Sequence, residues 1–370
     1  MKVLPRHVFL QLHLWAGLTL GLVLAGVAFS GAMLAWRPQL DPRLNAHLMK
    51  VVPGAARLAP DDLVARARAA HPAGELESVR YYGRTTAPFL VYFTTRDFVH
   101  LNPYTGEVLG FRQRYGDFFG WFEGFHKFLQ LEPSVGEPLT GSLALIFGGI
   151  IFTGLVLGWP GSRRALRASL TLNPKLSGRP WHLNVHKTVG AYASLMLGVS
   201  VLSGAVIAFD WAKEVLYPLT VSRKEAPVRP APEAGEGFAG FTPVSQRLAA
   251  LMPAAEETYI TVPKKGVVTA YVIAADAPHP NARSYVWFNP ADAAVRRFSP
   301  YAEASRGYRL YYWILSLHTG MMGGWLGQLL LFLGAISVPL LAGTGVASFL
   351  QRKFRPTASS VPPGVPSTHL

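Results

Sequence analysis

Four stretches of the chain are apolar for about 20 residues or more, the length a helix needs to cross a bilayer. They run from about Val8 to Trp36, Leu139 to Trp159, Thr188 to Phe209 and Trp325 to Leu350. All are rich in Gly and Ala, as packed membrane helices tend to be. Trp15, Trp36, Trp159, Trp211 and Trp325 stand near their ends, where aromatic belts form. Between the spans the period changes. After the first span, Pro60–Ala69 predicts a helix with acids in its first turn. Strand-like runs follow at Val79–Tyr82, Phe89–Thr94 and Phe98–Leu101, then a turn at Asn102-Pro103-Tyr104-Thr105-Gly106. After the third span the same order returns. Pro243–Leu251 predicts a helix, Thr258–Val262, Val267–Ile273 and Ser284–Phe288 predict strands, and Asn289-Pro290 a turn. Each connection therefore predicts a helix packed on a small antiparallel sheet. Glu225–Gly240 reads as a loop, and the tail after Phe354, with no apolar period, as disorder.

Charge sets the orientation. Only 15% of the 370 residues are charged, against about 25% in a soluble domain, yet the formal net charge is +14. Such a balance fits nucleic acid, an anionic membrane surface or a topology signal. Its distribution decides. Lys2 and Arg6, then Arg163, Arg164, Arg167, Lys175, Arg179 and Lys187, then Arg352, Lys353 and Arg355 lie in three short segments without a single acid. The positive-inside rule puts these segments, and so both termini, in the cytoplasm. The connections 37–138 and 210–324 then lie outside and hold all 21 acids. Nucleic acid is excluded as the expected partner, and membrane lipid remains. The first span follows Lys2 and Arg6 as a secretory leader would, but it is too long and no A-x-A site follows, so a retained anchor is expected. The absence of cysteine excludes disulfides, thiolate zinc sites, Cys-ligated iron–sulfur clusters and covalent c-type haem.

The chain also matches itself. Val185-His186-Lys187-Thr188-Val189-Gly190 follows the apolar-His-x-x-x-Gly pattern of Leu12-His13-Leu14-Trp15-Ala16-Gly17. Ser30-Gly31-Ala32 and Ser203-Gly204-Ala205 stand at equal distances beyond these histidines. Trp121 precedes His126 as Trp313 precedes His318, and Thr153-Gly154 answers Thr344-Gly345. Four of the eleven histidines thus occupy equivalent places in apolar surroundings. His13 and His186 fall near the cytoplasmic ends of their spans. His126 and His318 lie on the outer side, and the aromatic segments leading to them, Phe118–Leu129 and Tyr308–Leu317, are expected at the outer interface. Polar residues at membrane depth are costly and usually functional. The bland alternative is a hydrogen bond to a neighbouring helix. Two imidazoles on facing helices can also grip a haem iron from both sides. Gly17, Gly190, Gly320 and Gly324 would let a flat macrocycle approach the backbone. Zinc fits less well, because two histidines leave its tetrahedral site half empty. His182, one turn before His186, is an alternative ligand. His7, His47, His71, His100, His279 and His369 read as solvated surface histidines.

These His-bearing helices, their Ser-Gly and Thr-Gly ends, and the run Leu101-Asn102-Pro103-Tyr104-Thr105-Gly106-Glu107-Val108-Leu109-Gly110 resemble the PepSY-associated transmembrane proteins. The run is similar to the end of a PepSY domain; Asn289-Pro290-Ala291-Asp292 in the second connection lacks its Thr-Gly-Glu. Some members are inner-membrane ferrisiderophore reductases with two b-type haems. The resemblance implies a bacterial inner-membrane protein: a four-helix transmembrane bundle built from two repeats, with two exported α+β PepSY-like domains. The expected division is 1–36 (N-terminus and first span), 37–115 (first exported domain), 116–160 (interfacial segment and second span), 161–187 (basic cytoplasmic loop), 188–210 (third span), 211–305 (second exported domain), 306–351 (interfacial segment and fourth span) and 352–370 (tail). It further implies two haem b, with His13, His186, His126 and His318 as axial ligands of the iron.

The activity expected is outward electron transfer to a ferric siderophore or other ferric chelate, from a quinol or a cytoplasmic reductase. Arg306 and Arg309 are expected near the outer pair, where they could meet haem propionates, unless they only snorkel at the interface. The competing reading is a membrane-anchored binding or signalling module without haem. A transporter would want charges or broken helices at mid-membrane, and these spans carry no central charge.

Overall fold

The computed structural model describes residues 5–223, 230–231 and 237–354. Most of the Glu225–Gly240 loop, and the tail beyond Phe354, lie outside the described residues. The chain opens with α1 (Arg6–Ala35), α2 (Arg37–Leu44) and α3 (Ala46–Met49). Helix α4 (Pro60–Ala70) leads into β1 (Leu76–Tyr82), β2 (Phe89–Phe93), β3 (Asp97–Leu101) and β4 (Val108–Gln113). Then come α5 (Phe118–Phe128), α6 (Pro133–Gly158), α7 (Arg163–Ser169) and α8 (Gly178–Ala208). The second half runs through α9 (Asp210–Leu219), α10 (Phe241–Leu251), β5 (Ala255–Thr261), β6 (Val268–Ala274), β7 (Ser284–Phe288) and β8 (Val295–Ser299). It closes with α11 (Arg306–His318) and α12 (Gly324–Lys353).

Helices α1, α6, α8 and α12 are the four spans. They close a ring in which α1 packs on α12, α12 on α8, α8 on α6 and α6 on α1. Leu22, Phe152, Leu195 and Leu202 point outward from it. In water this would be an inverted protein; against hydrocarbon it is the stable arrangement, since a helix satisfies its own backbone. This is a multi-pass membrane protein. Helix α8 begins ten residues before Thr188, taking Arg179, His182 and Lys187 out of the expected loop. Proline is tolerated in a helix's first turn, so Pro180 starts this helix rather than breaking it.

The two connections do not stand apart as two domains. Their strands form one antiparallel sheet in the order β4-β3-β2-β1-β5-β6-β7-β8. Val79 pairs with Ile260 and Arg80 with Tyr259 at its centre. The reason is edge satisfaction: alone, each four-stranded unit would present β1 or β5 as an open edge, and pairing them removes both. One apolar core under the sheet takes Leu63 and Val64 from α4, Val244 and Leu248 from α10, and Val79, Val91, Ile260 and Val286 from the strands. The outer strands β4 and β8 were not legible in the sequence. Val108–Gln113 holds Gly110 and Arg112, and Val295–Ser299 holds Arg296 and Arg297, so neither shows an apolar alternation. The turn after β3 forms as expected, with the Gly106 N–H donating to the Asn102 carbonyl at 2.9 Å and Gly106 at φ +72°.

Asp61 ties the two halves together away from the membrane. Its carboxylate accepts from the Phe241 and Thr242 N–H groups at 2.8 and 2.9 Å, capping α10 from α4. Two histidines expected on the surface are buried instead: His100 is 1% exposed and His279 5%. His71 is half-buried against Phe93, His7 and His47 are exposed, and His369 is outside the described residues. Histidine alternates with apolar neighbours in β3 and packs inward when it can stay neutral. Burial, reinforced by the Arg112 charge, pushes the His100 imidazole down to about 4.

Two outcomes follow. Asp61→Ala should lower stability by about 1 kcal/mol, the usual value of a helix cap, read as a shift in chemical unfolding; an unchanged midpoint would remove the cap from the argument. His100 is depressed from 6.5 to about 4. The stability it contributes is present above pH 6.5 and is lost as pH falls toward 4, because the unfolded chain then binds the extra proton. The loss is at most about 3 kcal/mol. His100→Gln should flatten that pH dependence in unfolding curves.

Candidate functional site

The four repeat-related histidines meet as two pairs. The rings of His13 on α1 and His186 on α8 lie 6.0 Å apart between centroids. Those of His126 on α5 and His318 on α11 lie 6.1 Å apart. Val27 and Ser30, which hold His126, stand 14 and 17 residues beyond His13 on α1. At about 1.5 Å of rise per residue the two pairs are separated by roughly 20–25 Å along the bundle.

Each ring is fixed through Nδ1. His13 Nδ1–H donates to the Ile150 carbonyl at 3.0 Å, with Thr153 Oγ1 at 3.1 Å. His186 Nδ1–H donates to the Leu341 carbonyl at 3.0 Å, with Thr344 Oγ1 at 3.2 Å. His126 Nδ1–H donates to the Val27 carbonyl at 2.9 Å, with Ser30 Oγ at 3.4 Å. His318 Nδ1–H donates to Ser203 Oγ at 2.9 Å. A carbonyl can only accept, so Nδ1 carries the proton in the first three. In the fourth, the Ser203 hydroxyl proton is already given to the Val199 carbonyl at 2.6 Å, which assigns the same tautomer. Every Nε2 therefore keeps its lone pair, and among the described residues no hydrogen bond engages it. The bland expectation, a bond to a neighbouring helix, is met at one nitrogen, and a ligand position is left at the other. This is the arrangement in which a metal-binding histidine is oriented by its outer nitrogen.

The pairs have the spacing of axial ligands. Metal–imidazole bonds of about 2 Å on opposite sides of one ion put the ring centroids roughly 6 Å apart. Glycines stand beside all four rings, and at three of them a Cβ would sit closer than ordinary contact. A Cβ at Gly31 would stand 2.9 Å from His126 Cε1, at Gly154 3.0 Å from His13 Cε1, at Gly204 3.3 Å from His318 Cε1 and at Gly345 3.6 Å from His186 Cε1. These are the Ser-Gly and Thr-Gly pairs that marked the repeat in sequence, so the hydroxyl and the neighbouring gap act on the same ring. Of the glycines expected to let a macrocycle approach the backbone, Gly17 and Gly324 have no neighbour within 4 Å of a Cβ position, while Gly190 faces Leu341 and Gly320 faces Gln328.

Buried polar contacts hold α5 and α11 in place. Asp117 caps α5, accepting from Gly120 N–H at 2.6 Å. Arg112, on β4, pairs with Asp117 and, at 3.1 Å, with Asp41 of α2. Arg37 at the start of α2 reaches Glu123, one turn before His126, at 2.6 Å. In the other half, Ser316 on α11 takes the Asn281 side-chain amide at 2.9 Å and touches His279 Nδ1 at 3.1 Å. His279 Nε2 lies 2.7 Å from the Tyr301 hydroxyl. Arg306 and Arg309 are not beside the outer pair. Arg306 opens α11 and His318 closes it, which separates them by about 18 Å along the axis, and Arg309 by about 13 Å. His182 is half-buried on α8, and the ring facing His13 is that of His186.

The bundle, the sheet and the paired histidines define a class of membrane protein with an extramembrane β-sheet. The chain belongs to the family described as the PepSY-associated TM region, which it matches over residues 10–352. Comparison with curated proteins returns no match.

A glycine pair separates the role of space at the rings from helix propensity. Mid-helix Gly→Ala usually stabilises by about 1 kcal/mol. Gly149→Ala, where nothing lies within 4 Å, should follow that rule. Gly31→Ala, which meets His126, should lower the thermal midpoint instead; the same sign at both positions would refute the close fit.

Proposed function

We propose that this protein is a di-haem b electron-transfer protein of a bacterial inner membrane, built from two repeats with PepSY-like exported segments. In this reading it reduces a ferric siderophore or other ferric chelate on the side of the sheet. His13 and His186 hold one haem, and His126 and His318 the other. The observation that carries the reading is the set of four neutral imidazoles, each tied through Nδ1 and facing its partner across about 6 Å. When bound, each haem supplies a one-electron ferric/ferrous couple. The protein's own part is position and environment. Thr153, Thr344, Ser30 and Ser203 set the ring planes, and a carbonyl or hydroxyl on each Nδ1–H strengthens Nε2 as a donor. The apolar spans exclude water around both pairs.

The basic segments Arg163–Lys187 and Arg352–Lys353 orient the sheet-free end to the cytoplasm. The sheet then faces the periplasm. Outward electron movement is favoured by the membrane potential, by about 2.3 kcal/mol per 100 mV for a full crossing. Siderophore oxygens are hard donors matched to ferric iron, so reduction loosens them. The electron donor is a quinol or a cytoplasmic reductase.

Purified protein from haem-replete cells should show a reducible Soret band with two haems per chain. His126→Ala should lose half of it and keep the fold by circular dichroism. Folded protein without haem would overturn the proposal and favour a membrane-anchored PepSY module that binds a partner through its sheet.

A further inference from the structure

The end of the bundle opposite the sheet is a built surface. Arg6 Nη2, at the start of α1, donates to the Leu157 carbonyl near the end of α6 at 2.7 Å. The chain beyond α6 then folds back on α8. Ser162 caps α7, accepting from the Ala165 N–H at 3.2 Å. Asn184 on α8 grips the segment after α7 at two points: its Oδ1 accepts from the Asn173 N–H at 2.8 Å, and its Nδ2 donates to the Thr171 carbonyl at 3.1 Å. The Tyr192 hydroxyl, further along α8, donates to the Leu170 carbonyl at 3.0 Å. Gly178, which opens α8, neighbours α12: a Cβ there would stand 3.7 Å from Gln351 Oε1.

This surface carries charge of one sign. Arg163, Arg164, Arg167, Lys175, Arg179 and Arg352 are exposed, and none is in an ion pair among the described residues. Residues 1–40, 139–209 and 304–370 contain no Asp or Glu, so no acid of these segments balances them. An orientation signal needs charge alone, which a loose loop supplies. Here the charges stand on backbone fastened to α8, which orientation does not require. The fastening is also at the level of the inner ring pair, because Asn184 and Thr188, whose Oγ1 reaches the Thr171 carbonyl at 3.4 Å, flank His186. By helical rise His13 lies about 10 Å beyond Arg6, and His186 about 12 Å beyond Gly178. Of the two pairs, this is the one close to the cationic face.

Resting on the electron-transfer reading, we propose that this face docks the electron donor, and that the donor is a soluble acidic one-electron carrier of the ferredoxin or flavodoxin type. Its carboxylates meet cations that have no partner within the chain, which speeds encounter and fixes orientation. The carrier is oxidised by one electron, and ferric haem iron between His13 and His186 is reduced to ferrous; no bond forms or breaks and no proton moves. A quinol is uncharged and enters from the bilayer, so it gains nothing from the cations.

The test uses the oxidised, haem-loaded full-length protein in phosphatidylcholine nanodiscs, mixed with a reduced acidic [2Fe–2S] ferredoxin in a stopped-flow spectrometer. Haem reduction should slow at least tenfold between about 0.01 and 0.15 M salt, as the screening length falls from about 30 to about 8 Å. Two double variants, Arg164→Glu with Arg167→Glu and Lys175→Glu with Arg179→Glu, should each weaken ferredoxin binding tenfold or more by microscale thermophoresis, with haem content that of the parent. The second pair serves should the first fail to insert. A rate independent of salt, binding untouched by both pairs, or faster reduction by a short-chain quinol than by ferredoxin overturns the proposal. Variants that lose co-purifying phosphatidylglycerol while ferredoxin binding stays unchanged assign the face to lipid and overturn it too. Haem-loaded protein that dithionite reduces but ferredoxin neither binds nor reduces sinks this inference alone, while haem-free protein sinks the electron-transfer reading.

Discussion

A neutral imidazole held by a backbone carbonyl is the interaction on which the rest of this molecule turns. Inside a bilayer a histidine is tolerated only if its polar atoms are used. Ile150, Leu341 and Val27 offer carbonyls as acceptors, and Ser203 supplies the equivalent oxygen for the fourth ring. Each bond fixes a tautomer as well as a direction. The remaining lone pair has to point somewhere, and in both pairs it has an opposite ring about 6 Å away. The Thr-Gly and Ser-Gly steps serve this one requirement, the hydroxyl beside the carbonyl and the missing Cβ beside the ring.

The two pairs are held by different means. His13 and His186 sit within long helices of the closed ring, where packing against α6 and α12 suffices. His126 and His318 sit on the shorter α5 and α11, which could not hold a position alone. The sheet supplies what they lack. Arg112 joins β4 to both α2 and α5, and the His279–Ser316 contact joins the loop before β7 to α11. Because β1 and β5 weld the two halves of the sheet, these anchors belong to one rigid frame, and the outer rings are registered against each other through it. The sheet is thus part of the outer site's geometry as well as a surface above it.

Much of this was legible in the chain alone. Apolar length set the four spans, and the recurrence of His with Ser-Gly or Thr-Gly singled out four of eleven histidines. These signals survive because hydrocarbon thickness and helical period act on every residue of a span. The six core strands were readable for the same reason, by alternation, whereas β4 and β8 at the charged edges were not.

What only the tertiary structure decided lies where residues far apart must meet. The pairing of β1 with β5 depends on two edges finding each other, and no local pattern encodes a partner. His100 and His279 looked like surface residues until strand neighbours and α11 enclosed them. Arg306 and Arg309 are near His318 in sequence but at the opposite end of its helix, because a helix turns twelve residues into about 18 Å of separation. The sequence by itself singled out four histidines and the two pairs they form. The fold decided which nitrogen each one offers, because that follows from a hydrogen bond to another helix.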